Sequence, residues 1–192
     1  SALTNFGVEP FLKEFLRLTP TPLPRKDAQS GELVEPCSEQ FSGFIFKIQA
    51  NMNKNHRDRI AFLRICSGKF ERGMEAFHVQ EGKNIKLATG TSLMADDRAI
   101  VSEAYAGDII GLFDPGIFSI GDTLCTGKKH VQFAGIPTFA PEHFARVTQV
   151  DTMKRKQFVK GMEQIAQEGA IQLFHQAGAS MESYIVGTVG TL

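Results

Sequence analysis

Cations are concentrated in one stretch of this chain, residues 54–72. Only two carboxylates, those of Asp58 and Glu71, accompany seven basic side chains there: Lys54, His56, Arg57, Arg59, Arg64, Lys69 and Arg72. Grouped lysines and arginines are the side chains that neutralise the phosphates of nucleic acids. A merely solvated face of a sheet is the alternative interpretation. The first candidates for phosphate contact are the two arginines expected at a loop apex, followed by two cations further along: Arg57, Arg59, Lys69 and Arg72.

A second group of cations follows Asp151, a suitable N-cap for a helix. These cations fall on the first turns of the predicted helix, where they oppose the helix dipole. Such a group is either a tolerated surface cluster or a surface for contact with another macromolecule. Lys160 belongs to the same helix. The candidate contacts in this group are Lys154, Arg155 and Lys156.

No arrangement of residues typical of catalysis stands out. The triplet at residues 56–58, His-Arg-Asp, matches the catalytic loop of protein kinases, but no glycine-rich loop or Asp-Phe-Gly accompanies it, so we interpret it as a chance match. The isolated histidines, His78, His130, His143 and His175, are expected at the surface or at strand edges. Neither the phosphate-binding loop G-x-x-x-x-G-K-S/T nor the Asn-Lys-x-Asp guanine clamp is present. We therefore predict no catalytic residues and an inactive chain.

The composition is that of an ordinary globular protein. The 192 residues are 42% hydrophobic and 22% charged, with a formal net charge of zero. That length suffices for one or two cores, and the neutral balance gives no overall attraction to nucleic acid or membranes. Scattered cysteines, at 37, 66 and 125, favour reduced thiols, a cytoplasmic location and the absence of a metal site. No apolar run is long enough to cross a bilayer, and no signal peptide is recognised.

Short strands are predicted to position the first cationic stretch. Residues 41–50 alternate in polarity, with Phe44, Phe46 and Ile48 on one face, and a second strand spans residues 59–66. Turn signals recur about every ten residues as far as residue 137, and glycines at the corners indicate a small β-barrel. Aromatic side chains are not interleaved with the cations along the sequence, as a single-strand stacking platform would require.

Other elements flank this predicted barrel. Apolar residues at helical spacing predict an amphipathic helix over residues 8–18, which the following prolines end. Residues 26–40 are polar, with scattered proline and glycine, and are interpreted as a linker or a surface strap. Beyond residue 138, a strand, the helix after Asp151 with a stop at Gly169, and two further strands give the order β-α-β-β. That order is the first part of a ferredoxin-like α+β domain.

Three segments of the chain resemble the bacterial release-factor-3 family of translational GTPases. They are FSGFIFKIQANMNKNHRDRIAFLRICSGKFERGM, AYAGDIIGLFDPGIFSIGDTL and FAGIPTFAPEHFARV. The helix KRKQFVKGMEQIAQEGAIQLF is similar to the third-domain segment of this family. The chain departs from the family pattern at residues 114–118 and 177–183.

The resemblance implies a mainly β fold with an α+β part: a translation-factor barrel like domain 2 of elongation factor Tu, then an incomplete ferredoxin-like domain. It implies a domain division into the tail of a GTP-binding domain (1–25), a linker (26–40), the barrel (41–137) and a partial third domain (138–192). Ser1, Ala2 and Leu3 would be the remnant of the guanine-specificity loop. Both ends of the chain are expected to be cuts within a longer protein.

The function implied by the resemblance belongs to that parent protein. It would bind GTP or GDP with Mg²⁺, act in the cytoplasm and recycle stop-codon-reading (class I) release factors from the ribosome. The chain itself would hold no cofactor. It would contact small-subunit ribosomal RNA and a decoding-side ribosomal protein, and class I release factors indirectly, without a membrane partner. Two alternatives stay open: an elongation-factor-G-like or ribosome-protection GTPase, and a stand-alone RNA-binding barrel.

Overall fold

The structure, a computed structural model, describes residues 1–50, 59–87, 90–94, 97–175 and 183–190. Helix α1 spans Val8–Leu18 and helix α2 spans Arg155–Gln167, preceded by a 3-10 turn at Thr152–Lys154. The strands are β1 Arg25–Lys26, β2 Leu33–Val34, β3 Ser42–Ala50, β4 Arg59–Ser67, β5 Lys69–Glu71, β6 Glu75–His78, β7 Lys83–Lys86, β8 Gly90–Met94, β9 Asp97–Val101, β10 Glu103–Tyr105, β11 Ile109–Phe113, β12 Thr123–Cys125, β13 His143–Thr148, β14 Gln172–Phe174 and β15 Ser183–Thr188.

An antiparallel, curled sheet dominates the first part of the chain. Its eight strands lie in the order β7-β6-β12-β3-β4-β11-β8-β9, and β5 pairs separately with β10. Residues from distant strands, such as Leu87 after β7 and Leu112 in β11, share one core with Ile45 and Leu63, which requires the sheet to curl around them. The predicted mainly β fold with barrel curvature is confirmed.

The strands β3 and β4 match their predicted ranges to within one residue, but the alternation predicted along β3 is interrupted. The register between the two strands shifts at Ile45/Lys47, which is a β-bulge or equivalent irregularity. Such an extra residue reverses the alternation beyond it. Phe44, Ile45 and Ile48 are therefore all buried, although Ile45 and Ile48 are three residues apart, whereas Phe46 is only half-buried. The alternation of polar and apolar residues along a sequence does not reveal this shift.

Residues 26–40 lie against the curled sheet as a strap. Strands β1 and β2 form a hairpin, and a bridge joins Asp27 to Phe133. The buried carboxylate of Asp27 accepts hydrogen bonds from the Ser30 hydroxyl and from the Gln132 backbone N–H at 2.9 Å. These bonds, led by that of Ser30, lower the pKa of Asp27 to about 2.

The last part of the chain forms a three-stranded sheet, β13-β15-β14, with α2. Both outer strands are antiparallel to β15, so β13 and β14 are parallel to each other. Helix α2 connects them, and β15 lies between them in the sheet. This is the split βαβ arrangement of the predicted ferredoxin-like order. Met162 of α2 is buried and Phe158 packs on Tyr184. Gly169, with φ of 77°, ends the helix as predicted.

Helix α1 forms at its predicted position and leaves its apolar side chains in solvent. Within the described residues nothing of α1 is buried, and Phe11 and Phe15 stack on each other at 6.2 Å between ring centroids. None of the helices in the described ranges is long and apolar enough to span a membrane.

Candidate nucleic-acid interface

Arg59 is a structural residue of the barrel in this fold. It is the first residue of β4, and its side chain is only 12% exposed, with Nε 2.6 Å from Asp114 Oδ2. One terminal nitrogen donates to the Phe118 carbonyl at 2.9 Å, and the other donates to Gln167 Oε1 in α2. The guanidinium is thus held by partners within the protein. Its companion candidate, Arg57, lies outside the described residues.

The partner carboxylate is held by a turn that follows β11. Asp114 Oδ1 accepts the backbone N–H of Gly116 and of Ile117, both at 2.8 Å, and that of Phe118 at 3.3 Å. This network aims Phe118 into the core, where it is almost fully buried. Phe118, in the segment 114–118 that is expected to depart from the family pattern, therefore has a packing role. An Asp-Pro-Gly turn was the sequence signal for it.

A cleft of about 650 Å³ separates this turn from helix α2. Arg59 and Asp114 line one wall, and Lys160 and Gln164 line the other. Across the same junction the backbone N–H of Ala50 donates to the Glu168 carboxylate at 3.3 Å. The barrel and α2 are therefore joined by polar contacts centred on Arg59.

The two remaining candidates of the first cationic group differ in charge balance. Lys69 lies 2.9 Å from a Glu71 oxygen and 2.8 Å from a Glu103 oxygen, and these hydrogen bonds raise its pKa. Its charge is thus shared with two carboxylates. Arg72 is exposed, and within the described ranges no carboxylate lies at ion-pair distance from it. Arg72 is therefore better suited than Lys69 to contact a phosphate.

The second cationic group is exposed at the start of α2. Lys154 lies 3.7 Å from the Asp151 carboxylate, which also accepts the Met153 backbone N–H as the predicted cap. Arg155 and Lys156 are exposed and have no ion pair with the described residues. This group belongs to the split βαβ part, whereas Arg72 belongs to the barrel, so the candidates form two surfaces.

The predicted remnant of a guanine-specificity loop, Ser1, Ala2 and Leu3, lies in an exposed turn before α1. The Ser1 amino group donates to the Phe6 carbonyl at 2.8 Å, and Leu3 is 95% exposed. None of the described residues forms a group of three or more His, Cys, Asp or Glu side chains able to hold a metal ion. The three residues therefore lie in an exposed backbone turn.

The expectation that His78 is a surface or edge residue is wrong. Its imidazole is fully buried, and Nε2 lies 2.8 Å from Asp122 Oδ2, which also accepts the Ser119 backbone N–H at 2.7 Å. Asp122 is distant in sequence and reaches His78 through the pairing of β6 with β12. Single-sequence reading gives no signal for such a contact. His130, by contrast, is exposed and stacks on Phe77 at 3.7 Å between ring centroids.

The curled sheet followed by a split βαβ unit defines a class of translation-factor modules. Residues 40–127 match the family described as elongation factor G domain 2, and residues 133–192 match class II release factor RF3, C-terminal domain. A crystal structure of a protein from Thermus thermophilus has the same fold, with a TM-score of 0.71 and 21% identity over 96% of this chain and 26% of that one.

The chain belongs, by sequence, to the peptide chain release factor 3 family. It is 59% identical over all 192 residues to peptide chain release factor 3 of Symbiobacterium thermophilum. The corresponding proteins of Ligilactobacillus salivarius and Enterococcus faecalis are each 55% identical over the same span. In all three cases the match spans 100% of this chain and 36% of the relative's length. It thus spans about a third of these curated relatives.

Proposed function

We propose that this chain is the central portion of a translational GTPase that promotes GTP-dependent recycling of stop-codon-reading release factors from the ribosome. The observation that carries the proposal is its 54–59% identity to peptide chain release factor 3 along its whole length. The elongation-factor alternative finds support in the barrel match at residues 40–127. The segment after the barrel instead matches a release-factor domain, which favours the termination factor.

The domain division predicted from sequence is kept as part of this proposal. Residues 1–25 end a GTP-binding domain, 26–40 link it to the barrel, 41–137 form the barrel and 138–192 form part of a third domain. The exposed apolar side of α1 supports the first assignment, because such a surface is normally covered by other parts of a protein. The Asp27 contacts support a strap that is fixed on the barrel.

Nucleotide chemistry is assigned to the parent protein. GTP or GDP with Mg²⁺ would supply the phosphoryl chemistry there, and this chain would contribute at most the backbone amides of the Ser1–Leu3 turn to guanine recognition. The open turn and the absence of a phosphate-binding loop support an inactive chain without a cofactor. The parent protein is proposed to act in the cytoplasm, without a membrane partner.

The proposed ribosome contacts lie on the two cationic surfaces. Arg72 would face small-subunit RNA. Arg57 is kept as a candidate on sequence grounds, and Lys69 is a weaker candidate because its charge is shared with Glu71 and Glu103. Lys154, Arg155 and Lys156 would face RNA or a decoding-side ribosomal protein. Class I release factors would be affected indirectly. The exposed side chains of Arg72 and Arg155, which have no ion pair within the described ranges, support this choice.

The test of the function uses the full-length protein and ribosomes halted at a stop codon with a bound stop-codon reader. Dissociation of the reader is followed with GTP, with GDP and without nucleotide. Acceleration by GTP is expected. Ribosome-stimulated GTP hydrolysis without accelerated dissociation would instead support an elongation or protection factor. If neither accelerated dissociation nor hydrolysis is observed, only the interpretation as a stand-alone RNA-binding barrel would be left.

The surfaces are tested separately by salt dependence. Arg155→Gln combined with Lys156→Gln should weaken ribosome binding and reduce the slope of log affinity against log salt by about 0.7–0.9 for each phosphate that is no longer neutralised. Lys128→Gln is the matched control, because Lys128 is also exposed. Equal behaviour of the two variants would argue against a contact at the start of α2.

A further inference from the structure

The outer face of strands β3, β4 and β11 carries an unassigned group of aromatic and cationic side chains. Lys47 is directly opposite Phe62, and its Nζ lies 5.5 Å from the centroid of the Phe62 ring. Arg64 follows two residues after Phe62, so it points to the same face. The interleaving of aromatic rings and cations, which the sequence did not indicate, is therefore created by strand pairing.

The third strand, β11, places no side chain opposite Phe62, whose own side chain is half-buried. Gly111 is the β11 residue opposite Phe62 and supplies no side chain to cover the ring. Its neighbours on that face, Phe113 and Ile109, are 65% and 52% exposed. Phe113 lies diagonal to Phe62, about 7–8 Å away between Cα atoms. The two rings can therefore meet one ligand.

Strand β1 covers a neighbouring part of this face. Arg25 covers the Phe44 ring at 5.0 Å, so the part of the outer face near Phe44 is closed. Phe46 packs beside Phe62 with 6.3 Å between ring centroids and supports one edge of the ring. The open area, which we call the outer platform, consists of Lys47, Phe62, Arg64, Ile109 and Phe113.

Among the described residues, no carboxylate neutralises the charge of the outer platform. Lys47 and Arg64 are exposed, and neither has a carboxylate at ion-pair distance among the described residues, unlike Lys69. An apolar protein partner would have to bury these cations without compensation, which is costly. A strand of nucleic acid supplies phosphates for the cations and flat bases for the rings.

We propose that the outer platform binds unpaired nucleotides of an RNA strand. Bases stack on Phe62 and Phe113, and the adjoining phosphates lie at Lys47 and Arg64. Double-stranded RNA would not fit, because its bases are stacked on each other and are not available to the rings. The choice of RNA over DNA rests on the proposed ribosomal function, whereas the stacking geometry does not.

The experiment measures binding of fluorescent oligouridine to the full-length protein by anisotropy over a range of salt concentrations. Phe62→Leu keeps the bulk of the side chain but removes the ring, and should weaken binding about 5- to 150-fold. Phe62→Trp should restore it. Lys47→Gln with Arg64→Gln should lower the salt slope by about 1.4, or 0.7 for each phosphate.

Two control variants distinguish binding at the outer platform from nonspecific attraction of RNA to exposed rings and cations elsewhere on the protein. Phe139→Leu removes another exposed ring and Lys26→Gln another exposed cation, and both should bind like the unaltered protein. Equal affinity of Phe62→Leu and the unaltered protein, or no binding of oligouridine at all, would overturn the proposal. Tighter binding of duplex RNA would overturn the stacking geometry, and tighter binding of a DNA oligomer of the same length would overturn the choice of RNA.

This test is separable from that of the proposed function. Oligouridine binding that depends on Phe62, together with a failure to eject the stop-codon reader, would contradict the termination role and retain the outer platform. Ejection that proceeds normally while Phe62→Leu has no effect on oligouridine would contradict the platform alone.

Discussion

Replacing Arg59 by alanine is expected to destabilise the barrel by about 3 kcal/mol, because the change leaves the buried carboxylate of Asp114 without its cation. Removal of one partner from a buried ion pair costs roughly 3–5 kcal/mol. The lower figure applies here, because Asp114 retains three backbone N–H donors on its other oxygen. For a protein of this size, about 3 kcal/mol corresponds to a fall in Tm of about 6–12 °C.

The assay is thermal and urea unfolding of this chain, with two comparison variants. Gln167→Ala removes only the exposed end of the Arg59 network and should cost less than about 1 kcal/mol. Arg59→Met combined with Asp114→Asn removes both charges together and should be more stable than Arg59→Ala, because no uncompensated charge remains.

The reasoning has a clear counter-result. If Arg59→Ala unfolds at the same temperature as the unaltered chain, the ion pair contributes nothing and the guanidinium is not a structural group. If the same variant also loses ribosome affinity and salt dependence, the original expectation of a phosphate contact at Arg59 would be restored. Full-length protein bound to ribosomes supplies that second measurement.

The remaining predictions concern single groups in the barrel and its strap. Asp27 has a lowered folded-state pKa of about 2, so its stabilisation is complete above the unfolded value near 3.8 and is lost as the pH falls towards 2. After allowance for solvent screening, this stabilisation amounts to about 1–2 kcal/mol. In the Asp27→Asn variant, the free energy of unfolding should therefore decrease less over this pH range. Burial raises the pKa of the Cys66 thiol, so iodoacetamide should modify exposed Cys37 well before Cys66 at neutral pH, as peptide mass spectrometry can measure. Gly68→Ala should cost more than about 1 kcal/mol in urea unfolding, because φ is 67° and a Cβ would lie 2.7 Å from neighbouring backbone. Gly73→Ala, with positive φ but open space around it, should cost less.

Periodicity and turn chemistry were sufficient for the elements of this fold. Helix α1 and the strands β3 and β4 lie where the alternation and the prolines predict them, because these signals are local. The order of the last four elements also follows from local patterns. The bulge in β3 could not be predicted, because its effect depends on pairing with β4 rather than on the residues of β3 alone.

The candidate site was less predictable than the fold. A count of cations along the chain cannot reveal which carboxylate each cation meets, and Asp114 lies 55 positions beyond Arg59. Lys47 lies before the counted stretch, and its contact with Phe62 arises only because the two residues pair across strands. Cross-strand neighbours are therefore the information that sequence reading lacks here.

Neutralisation by neighbouring carboxylates separates structural cations from those available to a ligand. Arg59 and Lys69 have partners inside the fold, the first buried and the second at the surface. Arg72, Lys47 and Arg64 are exposed without such partners among the described residues. Because an unpaired surface cation loses little on meeting a phosphate, whereas a paired one must first give up its carboxylate, binding to a polyanion should depend on the second group. A series of single glutamine substitutions should therefore reduce the salt slope for the exposed cations, and Lys69→Gln should leave it nearly unchanged.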